Sequence, residues 1–124
     1  MPVAGLLSIE DSERLPPPDD RRHELVDGEV VELTFPTPLH NLTVGRVFRL
    51  LESFVRERNL GIVFPADTGF ILSREPANLR GPDVAFLAAA RPEGLDLRAN
   101  IPGAPDLAVE VISPSDTIRA LRHK

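Results

Sequence analysis

A single helical pattern between residues 37 and 58 constrains the fold of this chain more than any other feature of its sequence. Thr37 is a suitable N-cap, and Pro38 suits the first position of a helix because its missing N–H is not needed there. Asn59 and Gly61 offer a stop at the other end. The apolar residues recur at helical spacing. They are Val44, Val47, Leu50, Leu51, Phe54 and Val55. The pattern predicts one long helix whose apolar stripe packs on the rest of the domain.

The other patterns are short. Ser8 and Asp11 form a capping box that predicts a short first helix ending before Pro16. Residues 23–33, HELVDGEVVEL, predict a hairpin because Asp-Gly between two apolar runs is the strongest short hairpin signal. Four further strand-like runs follow the long helix. They are IVFPA, GFILS, DVAFLA at 83–88 and LAVEVI at 107–112.

A last helix is predicted to begin at Ser113-Pro114 and to run toward Lys124, with Asp116 completing a capping box. The order of elements predicts an α/β (α+β) fold with a mixed β-sheet and flanking helices, preceded by the hairpin. We expect residues 1–124 to form one domain.

Composition excludes several classes of protein. There is no cysteine, so disulfides and thiolate metal sites are ruled out and a metal would need oxygen or histidine ligands. The net charge of −5 argues against non-specific binding to nucleic acid, which normally needs a basic face. No apolar run is long enough to span a membrane, and the start lacks the features of a signal peptide. We therefore predict a cytoplasmic protein without a membrane partner.

Two acids stand out because each accompanies an apolar strand pattern. Asp83 opens one strand, and Glu110 interrupts another that reads as buried on both faces. Burying an unpaired carboxylate costs several kcal/mol. If the two strands pair, the acids meet and could share Mg²⁺ or Mn²⁺, which prefer oxygen ligands. Alternatively, Asp83 only finishes a turn after Pro82, and Glu110 pairs with one of thirteen arginines.

The motif Pro82-Asp83 … Glu110-Val111-Ile112 resembles that of the PD-(D/E)xK phosphodiesterase superfamily. In that motif a lysine stands two residues after the second acid, where this chain has Ile112. A wider set of segments resembles the Uma-two-like restriction endonuclease branch, over most of residues 8–124. These segments are HELVDGEVVEL, Pro-Leu-His before the long helix, GPDVAF, DLAVEVISPSD and the terminal lysine.

The resemblance implies a restriction-endonuclease-like fold and roles for three more residues. In that branch the lysine comes from the helix after the second acid strand, which corresponds to Lys124, the only lysine here. Glu24 corresponds to an acid that joins the metal site or orients water, and His40 to a histidine near the active cleft. Each has a simpler alternative. Glu24 could be a solvent-facing hairpin acid, His40 could form only local hydrogen bonds, and Lys124 could be a surface charge.

The resemblance implies a metal-dependent endonuclease that hydrolyses phosphodiester bonds of nucleic acid, with DNA as the expected substrate. Asp83, Glu110 and Glu24 would hold the Mg²⁺ or Mn²⁺, and Lys124 would stabilise the charged transition state. The alternative is a catalytically inactive module of the same fold that binds protein or nucleic acid. An unrelated α+β domain stays possible if the strands at 83–88 and 107–112 do not pair.

The resembled fold continues past the lysine helix into another core strand. We therefore expect the domain to be incomplete at its C-terminus and the strand at 107–112 to have an uncovered edge. A second copy of the chain would shield such an edge, which predicts a homodimer.

Overall fold

The structure, a computed structural model, describes residues 5–17 and 22–112. Its two helices are α1 (Ile9–Glu13) and α2 (Pro38–Glu57). The strands of the hairpin are β1 (His23–Val26) and β2 (Glu29–Glu32). The later strands are β3 (Gly61–Phe64), β4 (Phe70–Arg74), β5 (Ala77–Arg80), β6 (Val84–Ala88), β7 (Ile101–Pro102) and β8 (Leu107–Val109). The helix predicted from Ser113 lies outside the described residues.

The strands form two sheets. One has five strands in the order β2-β1-β5-β4-β7 and is mixed, because β4 and β7 run parallel while the other pairs are antiparallel. The other has three antiparallel strands in the order β3-β6-β8. The predicted α+β architecture with a mixed sheet is confirmed. The hairpin does not merely precede the sheet, since β1 pairs with β5 through Leu25 and Leu79.

Local signals explain the elements that the sequence predicted well. Ser8 accepts from the backbone N–H of Asp11 at 3.0 Å, and the Asp11 side chain accepts from the Ser8 N–H in return. Asp27 and Gly28 both have positive φ, at 50° and 84°, as the two central residues of a type I′ hairpin turn require. These contacts depend only on residues close in the chain, so short-range patterns suffice to predict them.

Three hydrophobic clusters each join two neighbouring layers of the fold. The first holds α1 on the five-stranded sheet, with Ile9 packed among Leu25, Ile71, Ala77 and Leu79. The second joins the two sheets and contains Phe70, Ala85, Leu87 and Ile101. The third packs α2 on the three-stranded sheet through Val44, Val55, Val63 and Val84. The resulting order is α1, five-stranded sheet, three-stranded sheet, α2.

The apolar stripe predicted for α2 is partly wrong. Val44 and Val55 are buried and Val47 and Leu51 pack beside them, but Leu50 is 66% exposed and Phe54 is also exposed. At about 100° per residue, Leu50 is rotated about 120° from Val44 around the helix axis, which turns it away from the sheet. Phe48, absent from the prediction, packs against the core instead.

Three strand predictions need correction. β5 and β7 are not among the strand-like runs of the sequence, because each is short and contains or follows proline. β8 ends at Val109, so Glu110 follows the strand and does not interrupt it. Leu107 and Ala108 are exposed, so this strand is not buried on both faces. Among the described residues β8 is an edge strand. It pairs with β6 on one side and with no strand on the other.

Candidate active site

The start of α2 holds His40 in a defined position. Thr37 has the extended backbone of an N-cap, and its Oγ1 accepts from the His40 N–H at 3.2 Å. Pro38 occupies the first turn. His40 is therefore the third residue of the helix. Its imidazole points toward the three-stranded sheet, where Nε2 lies 3.4 Å from Oδ1 of Asp83.

Asp83 stands immediately before β6, with its carboxylate held from two sides. Oδ1 faces His40, and Oδ2 accepts from the backbone N–H of Val111 at 2.7 Å. The two side chains are only 15% (His40) and 16% (Asp83) exposed. A carboxylate oxygen has two lone pairs, so each oxygen of Asp83 keeps acceptor capacity beyond these contacts.

Glu110 directly follows the last residue of β8 that pairs with β6. In the β6–β8 ladder Val84 is opposite Val109, so the next positions along the two chains are Asp83 and Glu110. The condition that the two strands pair is met for Val84–Phe86 and Leu107–Val109. Glu110 is half-buried at the end of the strand.

Glu24 contacts the segment just before Asp83 through a backbone N–H group. It is only 6% exposed on β1, and its Oε2 accepts from the N–H of Gly81 at 2.8 Å. Gly81 lies two residues before Asp83. The carbonyl of Pro82 accepts from the Asp67 N–H at 3.4 Å on the other side of the turn. The 81–83 turn is therefore fixed by one strand of the five-stranded sheet and by the loop after β3.

A cleft of about 350 Å³ opens beside this turn. Its lining includes Ser12, His23, Asp67, Gly81 and Asn100. Ser12 Oγ and His23 Nε2 are 2.5 Å apart, which ties α1 to the hairpin. No local pattern predicts this contact, because the two positions are eleven residues apart in the chain.

The acids around Asp83 are candidate ligands for a divalent ion. Among the described residues, no group of three or more His, Asp or Glu side chains is arranged to hold a metal. Mg²⁺ commonly needs only one or two carboxylates and keeps several waters, which Asp83 and Glu110 could satisfy. Within residues 5–17 and 22–112, the buried Nδ1 of His40 has no hydrogen-bond partner. The carboxylate oxygens of Asp83 and Glu110 are the kind of donor that fits a hard cation.

The structure brings together His40, Asp83 and the backbone beside Glu110, and it links Glu24 to the same turn. Lys124, the remaining predicted residue, lies outside the described residues. Sequence reasoning missed the backbone N–H groups of Gly81 and Val111. The only sign of them in the sequence is that each lies one or two residues from a predicted acid.

A family model described as "Putative restriction endonuclease", Uma2, matches residues 9–124 of this chain. This chain belongs to the Uma2 family. The predicted resemblance to the Uma-two-like branch is confirmed over nearly the whole sequence. No curated protein matches this Uma2-family chain.

Solved structures similar to this Uma2-family chain include one nuclease-like protein. It is described as a "putative nuclease belonging to DUF820" from Anabaena variabilis ATCC 29413. The TM-score is 0.73, with 16% sequence identity over 94% of this chain. The match covers 64% of that chain, so the Uma2-family chain spans less than two thirds of its length. At this identity the likeness shows the fold alone, and it confirms the nuclease-like fold class. Within the described residues, neither helix has the length and hydrophobicity needed to cross a membrane.

Proposed function

We propose that this protein is a metal-dependent endonuclease that hydrolyses phosphodiester bonds of DNA. Family membership supports a restriction-endonuclease-like nuclease. The observation that supports the proposal is the β6–β8 register, in which the last pair is Val84 with Val109, so that Asp83 and Glu110 are the residues next to this pair. A site of this kind suits Mg²⁺ or Mn²⁺, because both acids offer hard oxygen ligands.

In the proposed mechanism Asp83 and Glu110 would hold the cation, and Glu24 would fix the turn that carries Asp83 or join the metal site. When bound, the cation would act as a Lewis acid on the phosphoryl oxygens and would make water a stronger nucleophile. His40 holds Asp83 through Nε2, and the Val111 N–H orients its second oxygen. Lys124 would place a positive charge near the phosphate, where negative charge grows in the transition state.

Plasmid nicking tests the proposal. Purified protein is incubated with supercoiled plasmid and Mg²⁺, Mn²⁺ or EDTA, and nicked circles are counted on a gel. We expect cation-dependent nicking that is lost in Asp83→Asn and Glu110→Gln, which keep the size of each side chain. Arg98→Gln, a change at an exposed residue, is the matched control. Nicking that persists unchanged in both acid variants contradicts the mechanism.

The second candidate function is a catalytically inactive module of the same fold that binds nucleic acid or protein. It is favoured by Ile112, which stands where the superfamily motif has its lysine. A metal that binds only the folded state must raise its melting temperature. No change in melting temperature at millimolar Mn²⁺, together with no nicking, would favour this second function.

We also propose that the protein is a homodimer in the cytoplasm. The support for the dimer is the outer edge of β8. Leu107 in this strand is exposed, and so is Ile112 shortly after it. An edge strand with exposed apolar residues readily pairs with another chain. Light scattering at micromolar concentration measures the mass directly. A mass of one chain, 13.6 kDa, contradicts the dimer.

A further inference from the structure

The outward side of α2 combines apolar and basic residues next to the candidate active site. Three of its leucines are exposed, with Leu39 reaching 74%. At about 100° per residue, they share an arc of about 100° with two exposed arginines, on the side opposite the core-facing valines. These five residues are Leu39, Leu42, Arg46, Arg49 and Leu50. We call this set, together with Phe35, the α2 outer face.

The two arginines of the α2 outer face differ from the others on and beside this helix. Arg56 is bound to Glu52 at 3.1 Å, and Arg58 lies over the ring of Phe54 at 3.8 Å. The side chains of Arg46 and Arg49 form no ion pair or hydrogen bond within the part of the chain that the structure describes. Their charges are therefore not neutralised locally, although the whole chain carries a net charge of −5.

Phe35 lies in the loop that leads into α2. Its side chain is 99% exposed, so no described part of the chain covers the ring. Two residues span at most about 7 Å between Cα atoms, so Phe35 lies close to the N-cap Thr37. Thr37 in turn contacts His40, which contacts Asp83. An aromatic ring is thus presented to solvent beside the proposed site of cleavage.

We propose that the α2 outer face binds a single strand of nucleic acid that leads into the active site. Phe35 stacks on an unpaired base next to the phosphate at Asp83, and Arg46 and Arg49 contact backbone phosphates about 9 and 14 Å along the helix from His40. Stacking on an exposed ring and contacts from unpaired guanidinium groups are the two elements of single-strand binding. The identity of the ligand rests on the proposed nuclease function.

A second copy of the chain fits this face less well. The leucines lie on both sides of Arg46, so a two-fold axis through the middle of the face would bring Arg46 of both copies together. Like charges at an interface destabilise it, and the outer face has no acid of its own to separate them. A polyanionic strand instead matches both arginines.

The first test measures binding of a fluorescein-labelled 20-nucleotide DNA by anisotropy, in EDTA so that no cleavage occurs. The single strand is compared with a duplex of the same sequence. We expect the single strand to bind more tightly, and Phe35→Ala to weaken its binding about tenfold. Phe54→Ala is the matched control, since Phe54 is half-exposed and lies about 21 Å along α2 from His40. Equal effects of the two substitutions, or no preference for the single strand, would overturn the proposal.

The second test measures how the affinity depends on salt. Each phosphate contact with a single strand adds about 0.7 to the slope of log K against log salt concentration. The pair Arg46→Gln and Arg49→Gln should therefore lower the slope by about 1.4. Arg56→Gln with Arg58→Gln, which removes two cations that already have partners, should change it much less. An unchanged slope in the first pair contradicts the assignment of phosphate contacts.

Two further outcomes separate this inference from the proposed function. If the wild-type protein binds a single strand through Phe35 but never nicks plasmid, the nuclease function fails and the binding face stands. If nicking occurs while Phe35→Ala binds and cleaves like the wild type, the binding face fails and the nuclease stands. If Phe35→Ala instead changes the mass measured by light scattering, the face is a contact between copies, and the proposal is overturned.

Discussion

The backbone N–H of Val111 donates to Oδ2 of Asp83 at 2.7 Å, which ties the start of β6 to the residue after Glu110. This bond crosses between two segments that are 28 residues apart in sequence. It holds one proposed cation ligand at a fixed position relative to the main chain of the other. The side chain of Asp83 therefore has a structural role as well as its proposed catalytic one.

Replacing Asp83 should separate these two roles. Asp83→Ala removes the acceptor for Val111 and the partner of His40, and it should lower the free energy of unfolding by about 1–3 kcal/mol. Asp83→Asn keeps one acceptor oxygen and should lose less. Urea unfolding in EDTA measures both values. Both variants should nevertheless fail to nick plasmid, and an active Asp83→Asn protein would contradict the proposed role.

Glu24 should tolerate glutamine better than alanine. Glutamine retains an oxygen that can accept from the Gly81 N–H, whereas alanine leaves this buried donor unsatisfied, at a cost of about 1–3 kcal/mol. We expect thermal unfolding without metal to be nearly unchanged in Glu24→Gln and clearly lowered in Glu24→Ala. If glutamine is as destabilising as alanine, the negative charge matters more than the hydrogen bond to Gly81.

Mn²⁺ should stabilise the folded protein. A ligand that binds only the folded state at 100 times its dissociation constant adds about 2.7 kcal/mol to the free energy of unfolding. The melting temperature should rise by several degrees in the wild type and stay constant in the double variant Asp83→Asn, Glu110→Gln. The melting temperature in Ca²⁺, which accepts similar ligands but is larger, serves as a comparison. Equal stabilisation of wild type and double variant would place the ion elsewhere.

Two glycines should respond oppositely to alanine. Gly61 has a φ of 152°, and a Cβ there would come within 1.9 Å of the Leu87 carbonyl oxygen. Gly61→Ala should therefore destabilise the β3–β6 pair by more than about 3 kcal/mol. Gly45 lies within α2 with nothing within 4 Å of its Cβ position, so Gly45→Ala should stabilise by about 0.5–1 kcal/mol. Denaturant unfolding of the two variants gives the comparison.

Lys124→Ala should lower nicking on the order of 100-fold, because one charge that stabilises the transition state is worth about that much. Binding of the cation, followed by the Mn²⁺-dependent melting temperature, should not change. Lys124→Arg keeps the positive charge and should retain part of the activity. If Lys124→Ala nicks like the wild type, the carry-over of the family lysine to this position is wrong.

The features that the sequence predicted are those determined by neighbouring residues. The cap at Thr37, the Asp27-Gly28 turn and the capping box at Ser8 all act within a few positions. The pairing of the segments at 83–88 and 107–112 was the condition for bringing the two acids together, and β6 and β8 meet it over Val84–Phe86 and Leu107–Val109. His40 entered only through the family resemblance, since nothing local to His40 indicates a contact with Asp83.

The features that the sequence did not predict depend on tertiary contacts. β5 has an alternating pattern, with Ala77 and Leu79 buried, but four residues beside Pro76 are too few to distinguish a strand from a loop. Leu50 lies three residues after Val47 and so extends the apolar stripe of α2, but its rotation of about 120° from Val44 places it outside the face that the sheet covers. The bond between Glu24 and the N–H of Gly81 crosses 57 residues, which no local pattern can reveal.

The same bond joins a strand of one sheet to the turn that opens the other. Glu24 belongs to the five-stranded sheet, while Asp83, two residues after Gly81, begins the central strand of the three-stranded sheet. Opening of the hairpin alone would free the Gly81 amide and release the loop that carries Asp83, while α2 stayed packed on its own sheet. Amide hydrogen exchange at Gly81 should then report this local opening before exchange in α2 reports unfolding of the domain, and the proposed cleavage would be lost at the first of these two events.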